Sequence, residues 1–453
     1  MGLSTIILAA GQGTRMRSDL PKVLQRLAGK PLLDHVLSTC RALGAADIAV
    51  VYGFGGDAVR TACDSDDVRW ELQAEQHGTG HAVQQAAPGI PDDNQALVLY
   101  ADVPLLTVAT LQRLIEGTAA DEVSVLTVDM ADPTGYGRII REDGKVVACI
   151  EQKDATDEQR AVQEINTGVI VAPGDKLKQW LAAIDNDNAQ GEYYLTDVIG
   201  LAANDGVTVN GIKADDWTEV MGINDKKQLA EAERALQARL MDELMVKGVG
   251  FADPARVDIR GTLTCGKDVF IDVNAVFEGD VHLGDGTTIE SNNLVRDSKL
   301  GPNTLLHSNC HIEGATTGDG CEIGPFARLR PGAELANNIK IGNFVEVKKS
   351  TIADGSKVNH LTYIGDTEIG TGVNVGAGTI TCNYDGANKY KTIIGDNAFI
   401  GSGVELVAPV KIGKGATIGA GSTITKPAPH DELTLERGKQ FTVKGWQKPV
   451  KKG

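Results

Sequence analysis

The residues with the clearest chemical potential in this chain begin at Leu8, in the segment LAAGQGTRM. An apolar run precedes the segment, and Gly11 and Gly13 leave the backbone amides free to approach a phosphate. We expect the segment to join a buried strand to a helix, whose N-terminus would favour an anion. Arg15 and Lys22 add positive charge close by. The spacing therefore predicts a site for the phosphates of a nucleotide.

Two further glycine turns fit such a site. In QAEQHGTGHA, residues 73–82, Gln73 and Gln76 carry amides that can pair with both a donor and an acceptor on the edge of a pyrimidine. The second turn is PTGYGRI, residues 133–139. Each could be an ordinary loop, but their order after the first segment favours a common nucleotide site.

A carboxylate completes this first group. In YADVPLL, residues 100–106, Asp102 follows a predicted strand, at the carboxyl edge where such sheets bind ligands. When one phosphate attacks another, negative charge builds on oxygen, so the site needs cations and positioning more than a proton shuttle. Asp102 is the natural Mg²⁺ ligand, with Asp197 and Asp225 as competing carboxylates.

A second group of polar residues surrounds His360 in the C-terminal half. An unperturbed histidine titrates near pH ~6.5, so it can take the proton from an amine that attacks a thioester. We expect Arg330, Glu346 and Lys348 to stack beside His360 on one face. Glu346 would then orient the histidine, and the two cations would hold a sugar phosphate. The alternative is a solvated ladder of surface charges.

Composition excludes several other classes of protein. The chain has 453 residues and a net charge of −17, which disfavours broad binding to nucleic acid or an anionic membrane. We find no apolar run near ~18 residues and no secretion signal. The seven cysteines show no CxxC spacing, which favours reduced thiols over a disulfide framework or structural zinc. We therefore expect a cytoplasmic protein without membrane insertion or nucleic-acid partners.

Apolar runs alternate with amphipathic stretches over the first 225 residues, which predicts βαβ units and a mostly parallel sheet. The predicted strands are Thr5–Ala10, Ile48–Tyr52, Ala96–Tyr100, Val123–Val128 and Val169–Ala172, and the predicted helices include Leu32–Leu43, Gly80–Ala87 and Val108–Glu116. Residues 226–246, rich in Ala, Leu, Glu and Arg, predict one long connecting helix that ends at Gly248.

From residue 251 onward an aliphatic side chain recurs every six positions, with the phase slipping by one residue at several places, which is the pattern of a parallel β-helix. One stretch of this series is Ile394, Ile400, Leu406, Ile412, Ile418 and Ile424. Each six-residue unit forms one side of a triangular coil, and glycines turn its corners. The series predicts about eight coils spaced near 4.8 Å. The longer interval between Val375 and Ile394 predicts a projecting loop that contains NYDGANKYKT, residues 383–392.

Nearly the whole chain resembles the bacterial family of bifunctional N-acetylglucosamine-1-phosphate uridylyltransferases and glucosamine-1-phosphate N-acetyltransferases. The segments that carry the resemblance are LAAGQGTRM, QAEQHGTGHA, DPTGYGRI, EINTG, QGEYYLTD, GPFARLRPGAEL, HLTYIGD, NYDGANKYKT and LVAPV. NYDGANKYKT is the most specific, because it marks the acetyltransferase arm. The resemblance implies an α/β protein: a Rossmann-like uridylyltransferase domain (1–225), a linker helix (226–250) and a left-handed parallel β-helix of hexapeptide repeats with N-acetyltransferase activity (251–453).

The resemblance also implies the reactions and their substrates. Acetyl-CoA would acetylate glucosamine 1-phosphate in the C-terminal half. UTP, with Mg²⁺, would then uridylylate N-acetylglucosamine 1-phosphate in the N-terminal half, releasing pyrophosphate. The product, UDP-N-acetylglucosamine, is a precursor of cell wall and lipopolysaccharide. The alternatives are a single-activity sugar nucleotidyltransferase with a structural β-helix, and a non-catalytic scaffold.

The same resemblance implies site residues, at the positions of this chain that match the motifs of the family. The uridylyl site would comprise Leu8, Ala9, Ala10, Gly11, Lys22, Gln73, Gln76, Gly78, Thr79, Tyr100, Asp102, Gly137, Glu151, Asn166 and Asn224. Arg15 and Lys22 would act on the triphosphate, and Asp102 and Asn224 would hold the metal. The acetyl site would comprise the base His360 together with Arg330, Glu346, Lys348, Tyr363, Asn374, Ala377, Asn383, Tyr384, Lys389, Ser402, Ala420 and Arg437.

One position near the C-terminus departs from the family pattern. Relatives carry a serine before the C-terminal arginine, where this chain has Glu436 before Arg437.

The β-helix also predicts an assembly of several chains. A single prism cannot readily enclose a ligand, and equivalent prisms pack naturally about a threefold axis. The resemblance implies a homotrimer through the β-helix, with the acetyl site shared between subunits.

Overall fold

The computed structural model describes residues 2–451, which divide into two compact units with the boundary between Leu236 and Gln237. The long helix Lys226–Val246 runs across this boundary. Within the described residues, no helix is long and apolar enough to cross a membrane. The predicted combination of an α/β sheet domain and a parallel β-helix is confirmed.

Within the described part of the first unit, nine strands form one sheet. They are β1 (Leu3–Ala9), β2 (Asp47–Tyr52), β3 (Val68–Leu72), β4 (Gln95–Tyr100), β5 (Val123–Asp129), β6 (Arg138–Glu142), β7 (Lys145–Ile150), β8 (Glu164–Pro173) and β9 (Val209–Lys213). The order along the sheet is β9-β5-β8-β4-β1-β2-β3, and β6 pairs with both β8 and β7.

The apolar runs of these strands are buried, which is why the sequence pattern identifies them. β3, β2, β1 and β4 pair in parallel, whereas β8 is antiparallel to both β4 and β5. The parallel register sets Leu8 of β1 opposite Tyr100 of β4. The carboxyl ends of both strands therefore open at the same edge of the sheet.

Helices lie between the strands and cover their apolar side chains. They are α1 (Leu32–Ala42), α2 (Gly56–Cys63), α3 (Thr79–Ala86), α4 (Val108–Glu116), α5 (Gly174–Ala183), α6 (Asp197–Asn204) and α7 (Lys226–Val246), with a four-residue helix at Asp157–Arg160. Two-residue strands Arg26–Leu27 and Lys30–Pro31 form a small ribbon before α1. Short 3₁₀ turns lie at Thr14–Met16, Lys22–Leu24, Ala87–Gly89, Trp217–Val220 and Pro254–Arg256.

The second unit is a β-helix whose strands pair in parallel from coil to coil. In the described residues one face holds eleven strands: Gly250–Phe251, Phe270–Ile271, Thr288–Ile289, Leu305–Leu306, Glu322–Ile323, Lys340–Asn343, Lys357–His360, Asn374–Val375, Phe399–Ile400, Thr417–Ile418 and Leu433–Thr434. The prediction of about eight coils was too low. Its series missed coils at both ends, where the sixfold pattern is weaker.

The other two faces form one continuous sheet of seventeen strands in the described chain. These strands are Asp258–Cys265, Val276–Leu283, Leu294–Arg296, Lys299–Leu300, His311–Glu313, Ala315–Thr317, Arg328–Leu329, Ala333–Leu335, Glu346–Lys348, Ser350–Ile352, Tyr363–Gly365, Thr367–Ile369, Ile380–Cys382, Thr392–Ile394, Glu405–Val407, Val410–Ile412 and Thr423–Ile424. The predicted aliphatic series fills the interior of the prism.

Glycines turn many corners of the prism, as expected, and Gly286, Gly320 and Gly372 are examples with positive φ. Asparagines that were not expected there turn others: Asn274, Asn292, Asn303 and Asn338. Asparagine tolerates the left-handed region better than other residues with a Cβ, and its amide can bond to the next coil. Asn274 does so, donating to Asn292 across 2.8 Å.

Candidate functional sites

A cavity of about 290 Å³ opens at the carboxyl ends of β1 and β4. It brings together eleven of the predicted uridylyl-site residues: Leu8, Ala9, Ala10, Gly11, Lys22, Gln73, Gln76, Gly78, Thr79, Tyr100 and Asp102. The parallel pairing of these two strands explains the convergence. Val23, Ala82 and Glu192 also line the cavity and were missed, although Glu192 lies in the recognised segment QGEYYLTD.

The segment after β1 differs from the expectation of a helix. Only a three-residue 3₁₀ turn, Thr14–Met16, follows the glycines, and Arg17 in the left-handed region ends it. Such a short turn has no macrodipole comparable to that of an α-helix. Attraction for phosphate must therefore come from backbone amides and from the side chains of Arg15 and Lys22.

Lys22 lies at the centre of the predicted metal site. Its ammonium donates to Asp102 Oδ2 across 2.5 Å and to Asn224 Oδ1 across 3.3 Å. Two oxygen ligands from distant parts of the chain thus converge on one cation. Of the competing carboxylates, Asp225 instead caps helix α7, accepting from the amides of Lys227 and Gln228.

Gln73 has a fixed amide orientation in this cavity. Its side chain is 3% exposed, and Nε2 donates to the carbonyl oxygen of Gly78 and to Nδ1 of His81, each across 3.1 Å. Because a carbonyl oxygen can only accept, the nitrogen of the amide must face Gly78. Both N–H groups are thereby used, which leaves Oε1 as the group that Gln73 offers to the cavity. His81 was not among the predicted site residues.

The predicted sugar contacts lie beside a second cavity of about 420 Å³, which Glu151 and Asp197 line. Thr196 donates to Glu151 across 3.2 Å, and the backbone of Asn166 donates to the carbonyl oxygen of Gly137. Burial, together with the Asp185, Glu151 and Asp154 carboxylates, raises the pKa of Asp197 to about 6. Asp197 therefore belongs to this second cavity, which Asp102 does not line.

On the prism, a column of charges leads to the predicted acetyl site. Arg260, Glu278, Arg296 and Glu313 occupy matching positions on successive coils and alternate in sign. Arg260 pairs with Glu278 across 3.1 Å, and Arg296 pairs with both Glu278 and Glu313. Each positive charge in this stretch has a negative partner. This part of the face is the solvated ladder that we kept as the alternative.

The alternation ends where the predicted site begins. Arg330 pairs with Glu346 across 2.8 Å, but the next residue in the column is the positive Lys348. The Lys389 ammonium, aided by Arg330, holds the pKa of Lys348 below its usual range. Lys389 lies on the projecting loop, which an antiparallel bridge to Tyr384 stabilises. Three cations therefore gather at one place, as an anion site requires.

His360 ends the strand Lys357–His360 on the eleven-strand face, whereas Arg328–Leu329 and Glu346–Lys348 belong to the seventeen-strand sheet. The expected stacking of Arg330, Glu346 and Lys348 beside His360 on one face was therefore wrong. The expected role of Glu346 was wrong as well. Glu346 does not orient His360: Glu346 lies opposite Tyr363 in the strand register and bonds Arg330. Asn343 lies opposite His360 instead, with its Oδ1 at 3.0 Å from Nδ1 of the ring. Asp366, whose amide donates to the carbonyl oxygen of Lys348, accepts from Asn383 across 2.5 Å.

The remaining acetyl-site residues extend from His360 along one corner. The amides of Gly378, Gly403 and Gly421 bond in turn to the carbonyls of His360, Ala377 and Ser402. His360, Ala377, Ser402 and Ala420 thus occupy successive coils. Arg437 lies against Gly419, beside Ala420. Asn374 lies on the same eleven-strand face as His360, in register with Lys357.

Comparisons with known proteins match both units. The MobA-like NTP transferase domain matches residues 5–175, and the bacterial transferase hexapeptide (six repeats) matches residues 391–426. The Bifunctional protein GlmU of Herminiimonas arsenicoxydans is 55% identical over 449 residues, covering 99% of both chains. This chain belongs to the GlmU family. The GlmU of Azoarcus sp. (strain BH72) is 55% identical, covering 99% of this chain and 100% of its own, and that of Idiomarina loihiensis is 53% identical, covering 100% and 99%.

Membership in the GlmU family confirms the predicted bifunctional enzyme. The chain is a UTP:N-acetylglucosamine-1-phosphate uridylyltransferase and an acetyl-CoA:glucosamine-1-phosphate N-acetyltransferase. A single-activity enzyme with a structural β-helix does not fit relatives that match the whole chain and are named bifunctional.

Proposed function

We propose that the cavity at β1 and β4 carries the uridylyl transfer. The single observation that supports this most is the convergence of eleven predicted residues in one cavity of about 290 Å³. An oxygen of the sugar phosphate attacks the α-phosphorus of UTP, and pyrophosphate leaves. Lys22 and Arg15 stabilise the charge on the triphosphate. The Oε1 atom of Gln73 accepts a hydrogen bond from the N3–H of uracil, and Glu151 and Asn166 contact the sugar.

Mg²⁺ fits the pair Asp102 and Asn224. Their oxygen atoms already converge on the Lys22 ammonium, so this place stabilises a cation. In residues 2–451 no group of three or more His, Cys, Asp or Glu side chains could hold a metal. A site with one or two protein oxygens suits Mg²⁺, which takes its other ligands from phosphates and water. When bound, the metal neutralises charge on the triphosphate.

We propose that the prism carries the acetyl transfer through His360. Nε2 of the ring takes a proton as the amine of glucosamine 1-phosphate attacks the thioester carbonyl, and the thiol of CoA leaves. Arg330, Lys348 and Lys389 bind the sugar phosphate, with Tyr363, Asn374, Asn383 and Tyr384 around the sugar. Acetyl-CoA lies along the corner of Ala377, Ser402 and Ala420, with Arg437 near its phosphates. The exposed side chain of His360 is open to both substrates.

A homotrimer would complete this second site. Phe326, Phe344 and Leu361, the apolar corner, are 50%, 55% and 61% exposed on successive coils, and the two phenyl rings stack at 5.3 Å. All three have φ between 49° and 57°, a strained region for bulky residues. Phe344 directly follows Asn343, and Leu361 directly follows His360. A second copy of the chain on the apolar corner would bury these side chains and cover the acetyl site.

The cytoplasm is the proposed location. All seven cysteines lie in described residues and are free. Free thiols persist in a reducing compartment. The substrates UTP and acetyl-CoA are supplied there as well.

The reciprocal loss of the two activities tests this assignment. His360→Ala should remove acetyl transfer and leave uridylyl transfer intact, whereas Asp102→Ala should do the reverse. Both activities are measured on the same purified chain, so each serves as the folding control for the other. Loss of both activities from either substitution in a folded assembly would contradict two independent sites.

A further inference from the structure

We propose that Asn343 is the positioning residue of the acetyltransferase site, setting the tautomer and orientation of His360. The inference rests on the proposed role of His360 as the base. Strands Lys340–Asn343 and Lys357–His360 are neighbours on one face of the prism, and their register pairs Asn343 directly with His360. Oδ1 of Asn343 lies 3.0 Å from Nδ1 of the ring.

This contact fixes where the ring carries its proton. An amide oxygen can only accept, so Nδ1 must donate and the neutral ring keeps its lone pair on Nε2. Nε2 is then the nitrogen that can take a proton from the attacking amine. In the other tautomer Nε2 would carry a hydrogen and could not act as a base.

The backbone supports the arrangement on both sides of the ring. The Leu361 amide bonds the carbonyl oxygen of Asn343 across 3.0 Å, and the Thr362 hydroxyl bonds the carbonyl of His360 across 2.6 Å. Glu346, the carboxylate that the sequence predicted as the partner of His360, instead accepts a hydrogen bond from Arg330. An amide in place of a carboxylate orients the ring without adding a negative charge that would favour its protonated, inactive form.

Two substitutions test the role. Asn343→Ala removes the acceptor, so kcat for acetyl transfer should fall about 10- to 100-fold with a much smaller change in the KM for glucosamine 1-phosphate. Asn343→Asp keeps an acceptor oxygen, so activity should recover at high pH. Its carboxylate stabilises the protonated ring, so the acid limb of the kcat/KM profile should move to higher pH.

Two controls separate positioning from structure. Asn337 also bonds the next coil, donating to Asp354 across 3.2 Å, but it lies away from His360. Asn337→Ala should therefore keep acetyl transfer, and uridylyl transfer should persist in every variant. Wild-type kcat in Asn343→Ala, an unshifted profile in Asn343→Asp, or loss of uridylyl transfer in both Asn343 variants would each overturn the proposal. If His360→Ala itself kept acetyl transfer, the proposed base would fail instead.

Discussion

The two sites of this protein differ in how their walls are built. The proposed uridylyl site is a cavity lined within one unit by the ends of β1 and β4, by α3 and by loops, and Gln73 inside it is 3% exposed. The acetyl residues lie on the outside of a prism, with His360 and Tyr384 exposed. A sheet with crossover helices makes a cleft at its edge, whereas a β-helix presents only flat faces and convex corners. We therefore propose that the first site is complete within a chain, whereas the second is completed by a neighbouring chain.

The two sites also differ in how their cations are paired. The first site pairs its central cation, Lys22, with Asp102 and Asn224. The second leaves Lys348 and Lys389 to repel one another, at the end of a column whose other members alternate in sign. Repulsion of this kind is relieved when a phosphate binds. We propose that this break in the alternation separates the phosphate site from the solvated part of the column.

Among substitutions that weaken substrate binding, the largest effect should come from Lys348→Gln. Removing one cation from the anion site should raise the KM for glucosamine 1-phosphate roughly 10- to 100-fold, because a charged hydrogen bond contributes about 1.5–3 kcal/mol. Steady-state assays of acetyl transfer measure this. Lys340→Gln is the matched control, since Lys340 pairs with Glu322 across 2.7 Å on another column. An equal rise in KM for both variants would contradict a specific phosphate site.

Gln73→Ala should have a smaller effect, in the other unit. It removes an acceptor for the N3–H of uracil, so kcat/KM for UTP should fall about 10-fold. The N3 atom of cytosine has no hydrogen to donate, so the preference for UTP over CTP should narrow. Gln85→Ala is the control, because Gln85 bonds the carbonyl oxygen of His81 and does not line the cavity. A preference for UTP that survives Gln73→Ala would show that another group reads the base.

Asp197→Asn should change stability with pH. Its folded pKa of about 6 lies above the ordinary 3.8, so the ionised carboxylate destabilises the fold increasingly as the pH rises between those values. At neutral pH the free energy of unfolding of the variant should exceed that of the wild type by about 1 kcal/mol. This value allows for solvent screening, because the carboxylate is half-exposed. Urea denaturation at neutral and mildly acidic pH measures it. A gain that does not shrink in acid would contradict the raised pKa.

The helices and strands could be predicted from the sequence because burial of one face makes apolar residues recur at a regular spacing. Val108–Glu116 was predicted with the observed bounds, and the sixfold series marks the interior of the prism. The helix predicted after LAAGQG was wrong, because a glycine turn does not determine the conformation of the residues beyond it. Here Arg17 enters the left-handed region, so the helix cannot continue.

The partner of His360 was missed because it depends on the exact length of a coil. Asn343 lies 17 residues before His360, and Glu346 lies 14 before it. Coils in this region contain 17 residues, since Ile341 pairs with Val358 and Val358 with Val375. Three unbroken sixfold steps would give 18 residues, but the aliphatic series slips by one residue between Val347 and Ile352. The prediction did not carry this slip through to the side-chain pairs. Side-chain pairs across coils require the observed register.

The most direct test of the contrast between the two sites is Phe344→Arg, which places a charge on the apolar corner. Sedimentation velocity should show single chains in place of a trimer. In the same preparation, uridylyl transfer per chain should be unchanged and acetyl transfer should be lost. Single chains that still acetylate glucosamine 1-phosphate at the wild-type rate would contradict the account, because the second site would then be complete without a neighbour.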